Sequence, residues 1–183
     1  MRVSAMRLDA TTSALCVIDV QERLLPAMAE GERVVARCRR LVEAAGLLAV
    51  PTLLTEQYPK GLGPTVAALA GILPPPVTKM SFSCYGTPAF RQAIPDDVSS
   101  IVLCGLETHV CVAQTAIDLL AAGMAVVIAV DAVTSRHPID HETALRRLEA
   151  AGAMVTTSEA VLFEWCGSAE HPQFQAVRKL VLA

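Results

Sequence analysis

Short apolar runs alternate along this chain with segments whose apolar residues recur at helical spacing. The runs at residues 14–18 and 100–104 are typical of buried strands, and the segments at 32–48 and 141–151 are typical of helices. Parallel strands that are joined through helices form a sheet with both faces covered. The sequence therefore predicts an α/β fold, a doubly wound, six-stranded parallel sheet between two helical layers. The predicted strands are residues 14–18, 51–55, 77–80, 100–104, 125–130 and 154–156.

Neither a linker nor an internal repeat interrupts this alternation, so residues 1–183 are interpreted as a single domain. The segment EQYPKGLGP, residues 56–64, is predicted to be an irregular loop because it is rich in Pro and Gly. A helix is predicted to follow Gly105 and to run to about Ala122. Ser158 is predicted to cap a later helix.

Composition excludes several classes of partner. Hydrophobic residues make up 53% of the chain, charged residues 18% and aromatic residues only 4%, which fits an aliphatic core under helices. The formal net charge of -3, without a basic stripe, argues against a nucleic-acid partner. No run reaches the roughly 18 to 20 apolar residues of a membrane helix, and the first run, broken by Asp19, is interpreted as a strand rather than a signal peptide. We expect a cytoplasmic protein without a membrane partner.

The six cysteines form no CxxC pair. Neither a disulfide framework nor a zinc cluster is therefore indicated, and most of the cysteines are expected to be reduced core residues. The GLGP segment at residues 61–64 is not followed by the Lys and Ser or Thr of a phosphate-binding loop. We expect no cofactor.

Polar side chains with chemical potential follow the ends of the predicted strands, where a doubly wound sheet binds its ligands. Asp19 follows the first strand, Lys79 lies at the third, and Cys111 begins the helix after the fourth. The amide groups of a helix start and a neighbouring cation favour a thiolate, and a carboxylate can accept the thiol proton. The sequence predicts a reactive Cys111 served by Asp19 and Lys79. Glu107 and Asp131 are further candidates at strand ends.

Three segments resemble the isochorismatase-like cysteine hydrolase superfamily: LCVIDVQERL at 15–24, VTKMSF at 77–82 and GLETHVCVAQTAIDLL at 105–120. The segment TEQYPKGLGPTV at 55–66, with TSEAVLFEW and HPQF near the end, is more similar to the isochorismatase-domain-containing subgroup than to the nicotinamidases. The resemblance implies Asp19 as general base, Cys111 as nucleophile and Lys79 as the cation that orients Asp19 and lowers the pKa of the thiol.

The resemblance also implies a cis peptide bond between Leu106 and Glu107, which would direct the amide groups of Val110 and Cys111 at a substrate oxygen. It implies support of the neighbouring loop by Gln21. Residues expected to line the substrate pocket are Gln21, Tyr58, Phe82, Thr108 and His109.

Two departures from related patterns narrow the expected chemistry. Nicotinamidases add metal-binding histidines near the triad, and residues 56–64 contain no histidine, so we expect no metal. Isochorismatases cleave a vinyl ether without the cysteine, so Cys111 argues against that reaction. Acyl transfer from a small amide or related C–N bond to water, through a thioester on Cys111, is the expected activity.

Several alternatives stay open at this stage. His109 is interpreted either as a second base or as a capping or subunit-contact residue. His137 and His141 have the i, i+4 spacing of metal ligands, but a solvated helix start is favoured. Trp165 is assigned to the core.

Cys111 itself has two other interpretations: a redox-active or ligand-binding thiol, and a residue of a scaffold subunit without turnover. A small-molecule substrate and a homo-oligomer, either a dimer or a tetramer, complete the expectation.

Overall fold

The computed structural model describes residues 7–182. Six strands form one sheet in the order β3-β2-β1-β4-β5-β6, and every neighbouring pair is parallel. The chain builds outward from β1 in both directions, which confirms the predicted doubly wound sheet. The strands are β1 (Ser13–Ile18), β2 (Thr52–Gln57), β3 (Val77–Lys79), β4 (Ser100–Leu106), β5 (Ala125–Thr134) and β6 (Met154–Thr156).

Helices cover both faces of this sheet. They are α1 (Gly31–Leu47), α2 (Pro59–Leu62), α3 (Ala67–Ala70), α4 (Pro88–Ala93), α5 (Ala113–Ala121), α6 (Pro138–Ala150), α7 (Ser158–Cys166) and α8 (Phe174–Leu182). A π-helical turn, Thr108–Val112, precedes α5 directly. Among the described helices, none combines the length and the apolar character needed to cross a membrane.

The side chains of β1 show how the sheet divides the core. Leu15 and Val17 belong to a cluster with residues of α1, α7 and α8, whereas Cys16 and Ile18 belong to a second cluster with residues of α4, α5 and α6. Successive side chains of a strand point to opposite faces, so a strand that is covered on both sides is apolar throughout. All residues of β1 and β4 are buried, and these two strands form the centre of the sheet.

The segment predicted to be an irregular loop is more ordered than its Pro and Gly content indicated. Strand β2 continues through Glu56 and Gln57, which pair with Thr78 and Lys79 of β3. Glu56 Oε1 also accepts hydrogen bonds from the amide and the hydroxyl of Thr65, both at 2.7 Å. These bonds satisfy the buried Glu56 carboxylate, which explains why a charged residue can extend the strand.

Strand β5 runs to Thr134 instead of residue 130, so Asp131 lies inside a strand and not after its end. The Asp131 carboxylate accepts hydrogen bonds of 2.6 Å from both the amide and the hydroxyl of Ser158. Asp131 therefore holds the start of α7, whose N-cap residue is Thr157 and not Ser158 as predicted. Helix α6 begins at Pro138, three residues before its predicted start, because proline is favoured in a first helical turn.

Candidate active site

Asp19, Lys79 and Cys111 lie at the carboxyl ends of three strands of the sheet. Asp19 immediately follows β1, Lys79 is the last residue of β3, and Cys111 lies in the π-helical turn after β4. In the sheet, β1 has β2 and then β3 on one side and β4 on the other. Asp19 therefore lies between the strand end that carries Lys79 and the strand end that leads to Cys111. The topology thus brings together residues that are far apart in the sequence.

The end of β4 approaches the end of β1 very closely at Gly105. A Cβ atom on this residue would lie 2.1 Å from the carbonyl oxygen of Ile18, and the backbone φ is +113°. Both the space and the left-handed conformation require glycine. This close approach brings the turn that follows Gly105 next to Asp19.

Asp19 and Lys79 form an ion pair from which solvent is excluded. The distance from Lys79 Nζ to Asp19 Oδ2 is 2.7 Å, and both side chains are fully buried. The second carboxylate oxygen, Oδ1, accepts a hydrogen bond of 2.7 Å from the hydroxyl of Thr55. Buried charges are tolerated when they are paired and hydrogen-bonded, and this carboxylate meets both conditions.

The Lys79 ammonium group has three further acceptors. These are Oε1 of Gln57 at 2.8 Å and the carbonyl oxygens of Phe82 at 3.1 Å and Ser81 at 3.3 Å. Burial lowers the pKa of Lys79, but the carboxylate of Asp19 and then the nearby thiols outweigh burial, so that the pKa is raised. Lys79 is therefore charged at neutral pH and supplies a fixed cation beside Asp19.

Cys111 is 6% exposed, and its pKa is raised, contrary to the expectation of a lowered pKa. Burial raises the pKa of the Cys111 thiol far above its usual range, and the charge of Asp19 raises it further. The cation of Lys79 lowers the pKa, as expected, but its effect is smaller than those of burial and Asp19. The arrangement therefore suits a thiol that loses its proton to Asp19 during attack rather than a preformed thiolate.

The turn that carries Cys111 begins at the Leu106–Glu107 peptide bond, which is cis. The carbonyl oxygen of Glu107 accepts hydrogen bonds from the amides of Val110, at 3.1 Å, and Val112, at 3.2 Å. The Val110 amide is thus engaged within the turn and, in this conformation, is not presented to a substrate oxygen as expected. Leu106 is fully buried in the core.

Three consecutive side chains of this turn contact the segment that follows β5. Glu107 pairs with Arg136 at 2.9 Å. The hydroxyl of Thr108 lies 2.9 Å from Nδ1 of His141, and Nδ1 of His109 lies 2.9 Å from the hydroxyl of Ser135. Thr108 and His109, which were expected to line the substrate pocket, therefore bond to residues 135–141.

The remaining residues predicted for the pocket differ in exposure. Gln21 is fully buried, and its amide group bonds to the backbone of Gln57 and Gly63, so it holds the segment after β2 in place. Tyr58 and Phe82 expose 48% and 52% of their surfaces. They lie just after β2 and just after Lys79, at the edge of the sheet where Asp19 is found.

Sequence reasoning missed Thr55, Gln57 and Cys84. Thr55 and Gln57 bond to Asp19 and Lys79, and the Cys84 sulfur lies 3.6 Å from the Thr55 hydroxyl. The end of the second strand was the available signal: Thr55 closed the predicted strand but was given no role, and Gln57 was assigned to the loop. No sequence signal marked Cys84.

The two histidines at i, i+4 spacing have different surroundings. His137 is exposed at the start of α6, whereas His141 is half-buried against Thr108, so its predicted solvated position is wrong. Among residues 7–182, no group of three or more His, Cys, Asp or Glu side chains is arranged to hold a metal ion.

Comparisons with known proteins agree with the motifs. The family model described as the Isochorismatase domain matches residues 13–160. Isochorismatase domain-containing protein 2 of Bos taurus is 43% identical over 172 residues, which cover 93% of this chain and 83% of that protein. A solved structure named MAR1 ribonuclease from Caenorhabditis elegans is 41% identical, with a TM-score of 0.92 over 97% of this chain and 93% of that one.

A hypothetical protein from Trypanosoma cruzi, 32% identical, has a TM-score of 0.88 over 97% of this chain and 96% of its own. The match to the family model extends over most of the chain, from β1 into α7, and the strands that carry Asp19, Lys79 and Cys111 all lie within it. The resemblance inferred from the motifs is confirmed: this chain belongs to the isochorismatase family.

Proposed function

We propose that this protein is a cysteine-dependent hydrolase of a small, uncharged amide or a related C–N bond. The observation that carries the proposal is a buried Cys111 thiol beside a buried Asp19 carboxylate that Lys79 keeps in place. Family membership supports a hydrolase in general. The side chains around Cys111 support the narrower reaction.

In the proposed first step, the Cys111 sulfur attacks the carbonyl carbon of the amide while Asp19 accepts the thiol proton. The C–N bond then breaks, Asp19 returns the proton to the departing nitrogen, and a thioester remains on Cys111. In the second step water attacks the thioester, and Asp19 accepts one proton from the water. The carboxylic acid leaves, and the sulfur takes the proton back from Asp19.

Lys79 acts in this scheme as a fixed charge and not as a proton donor. Its raised pKa keeps it protonated while Asp19 is a carboxylate. The acceptors on Gln57, Ser81 and Phe82 hold the ammonium group in one position throughout the cycle. A group that is held before the reaction needs no reorganisation during it.

The charge balance beside Cys111 supports an uncharged substrate. Asp19 pairs with Lys79, and Glu107 pairs with Arg136, so each acid has a basic partner at hydrogen-bonding distance. Lys79 also has more acceptors than its three N–H groups can fully serve. A substrate carboxylate or phosphate would have to compete with these partners for the ammonium group.

Two other functions, a redox-active thiol and a ribonuclease, fit the site less well. A redox-active thiol requires a substantial thiolate fraction, which the raised pKa of Cys111 disfavours. A ribonuclease, the activity named for the relative from Caenorhabditis elegans, must bind an anionic backbone. The net charge of -3 and the 6% exposure of Cys111 favour a small substrate over RNA.

The decisive experiment combines an amide library with intact-protein mass spectrometry. We expect turnover of at least one small amide and a mass increase equal to its acyl group after rapid quenching. Both should be lost in Cys111→Ala and retained in Cys166→Ala, because Cys166 lies in α7 within the other core cluster. Full turnover by Cys111→Ala would reject the covalent mechanism.

The same two variants test the rival functions. Cleavage of a labelled RNA that disappears in Cys111→Ala, without turnover of any amide, would make the ribonuclease the better assignment. A stable sulfenic acid or mixed disulfide on Cys111, without acylation by any amide, would support the redox function. A scaffold subunit predicts neither turnover nor acylation.

We also propose that the protein forms a homo-oligomer, either a dimer or a tetramer. Tyr58, Met80 and Phe82 expose 48%, 69% and 52% of their surfaces at neighbouring strand ends. Exposed aromatic and Met side chains are enriched at interfaces between subunits. Light scattering that shows a monomer at micromolar concentration would contradict this proposal.

A further inference from the structure

We infer that residues 135–141 form a clamp that positions the turn carrying Cys111, with His141 as its principal positioning residue. The inference rests on the proposed function, since it concerns the same nucleophile. It assigns a role to the HPIDH segment, which the reaction scheme itself does not use.

The clamp consists of the three contacts between consecutive residues of the turn and one short segment. Glu107 bonds to Arg136, Thr108 to His141 and His109 to Ser135, each at 2.9 Å. His109 Nε2 also lies 3.9 Å from the carboxylate of Asp140. Because three neighbouring side chains are held from one side, the turn has little freedom to rotate about its own axis.

Thr108 connects the clamp to the nucleophile. Its side chain is fully buried, and it lies three residues before Cys111 in the π-helical part of the turn, Thr108–Val112. Both residues belong to the same short hydrogen-bonded turn, so a shift of the Thr108 backbone moves Cys111 with it. A buried hydroxyl also needs a hydrogen-bond partner, and His141 Nδ1 is the partner that the structure provides.

His141 suits this role because its imidazole is neutral at neutral pH. Burial and then the charge of Arg33 lower its pKa, while Glu142 and Glu30 oppose this effect. A neutral imidazole can accept the Thr108 hydroxyl proton at Nδ1 while Nε2 carries the ring proton. The hydroxyl then keeps one orientation, which fixes the side of the turn next to Cys111.

The chain contains a matched control in His137. This residue belongs to the same segment and is the N-cap residue of α6, but it is exposed and its side chain makes no capping hydrogen bond. Replacement of His137 changes a histidine next to α6 without removing a contact to the turn. The clamp predicts different outcomes for the two histidines.

The test measures how the rate of Cys111 alkylation by iodoacetamide depends on pH, which requires no substrate. Burial and Asp19 hold the pKa of Cys111 above its usual range, so a displaced Cys111 loses part of both effects. We expect His141→Leu and Thr108→Val to move the alkylation midpoint to lower pH. At about pH 8 each variant should label on the order of tenfold faster, which corresponds to a shift of about one unit.

Three controls separate positioning from general loss of structure. Thr108→Ser should keep the wild-type midpoint because it keeps the hydroxyl, and His137→Leu should keep it as well. The double variant Thr108→Val/His141→Leu should shift the midpoint no further than the larger single shift, since both changes remove the same bond. Circular dichroism identifies any variant that fails to fold.

An unchanged midpoint in folded His141→Leu, or additive shifts in the double variant, would overturn the clamp. If His141→Leu does not fold, Thr108→Val against Thr108→Ser provides the same comparison. Failure of the proposed hydrolase would give a different result, because either no amide would be turned over or turnover would survive in Cys111→Ala. The alkylation profiles report the position of Cys111 whether or not an amide is cleaved.

Discussion

One ion pair lies beside the turn that carries Cys111, and a second includes Glu107 of that turn. The two pairs have nearly equal lengths. In the inner pair, Asp19 and Lys79, the charged atoms are 2.7 Å apart, and in the outer pair, Glu107 and Arg136, they are 2.9 Å apart. Both side chains of the inner pair are fully buried, whereas in the outer pair Glu107 is 9% exposed and Arg136 is 52% exposed. The two pairs therefore differ in their exposure to solvent and hardly at all in the distance between their charged atoms.

This difference determines what each pair can do. In water an ammonium or guanidinium group is already well solvated, so an exposed pair adds little stability. In the interior each charge depends on its partner, and Lys79 depends on Gln57 and two carbonyl oxygens as well. The inner pair can thus perturb a neighbouring thiol strongly, while the outer pair serves mainly to hold Glu107 in place.

The largest expected effect is on stability when one partner of each pair is replaced. Lys79→Met leaves Asp19 as an uncompensated buried charge, and we expect its free energy of unfolding to fall by about 3 to 5 kcal/mol. Arg136→Met should lower it less, by about 1 to 2 kcal/mol, because Glu107 loses its partner but water can reach it from the exposed Arg136 side. Urea denaturation at one fixed protein concentration measures both values.

A double variant sharpens this result. Asp19→Asn/Lys79→Met removes both charges, so it should be more stable than Lys79→Met alone even though it carries one more substitution. Equal losses in Lys79→Met and Arg136→Met would show that the inner pair is as well solvated as the outer one.

The second prediction concerns the pH dependence of Cys111 alkylation. The charge of Asp19 raises the pKa of Cys111, and that of Lys79 lowers it. Asp19→Asn removes the first effect and leaves the second, so the alkylation midpoint should move to lower pH. Glu107→Gln, the matched change in the outer pair, should move the midpoint much less. Mass spectrometry of the Cys111 peptide gives both profiles, and equal shifts would contradict the assignment of Asp19.

The fold was predictable because each strand is a continuous apolar run that ends at polar residues. A central strand such as β1 shows this pattern clearly, since both of its faces are covered. Strand ends were harder to predict. Glu56, Gln57 and Asp131 are polar residues that continue a strand, because partners distant in the sequence satisfy their side chains.

The candidate site was predictable to the extent that topology brings strand ends together, which is how Asp19, Lys79 and Cys111 were identified. The direction of each side chain was not. Thr108 and His109 bond to residues 135–141, and no rule based on residue spacing predicts these side-chain directions in a π-helical turn. Burial of Cys111, which reverses the expected direction of its pKa shift, depends on packing that a local motif does not encode.

A smaller effect on stability is expected when one of the other hydrogen-bond acceptors of Lys79 is replaced. Gln57→Met removes one acceptor from Lys79 and one donor to the Met80 carbonyl oxygen, while the side chain keeps a similar length. A hydrogen bond to a charged group contributes about 1.5 to 3 kcal/mol, so we expect a loss of stability in that range. Gln92→Met, on the exposed side of α4, should change stability by no more than about 0.5 kcal/mol. If Gln57→Met leaves the stability unchanged, the carbonyl oxygens of Ser81 and Phe82 are sufficient acceptors for the Lys79 ammonium group.

The smallest expected effect is the salt dependence of the two single substitutions. Mobile ions screen an exposed pair, and the screening length falls from about 10 Å at about 0.1 M salt to about 3 Å at about 1 M. The loss of stability in Arg136→Met should therefore shrink at the higher salt concentration, because Arg136 is half-exposed. The loss in Lys79→Met should stay nearly constant, because ions do not enter the buried space around Asp19. Urea denaturation of each variant and of the wild type at both salt concentrations measures the difference. If the loss in Lys79→Met shrank in parallel, solvent would reach the inner pair, and burial could not raise the pKa of Cys111 beside it.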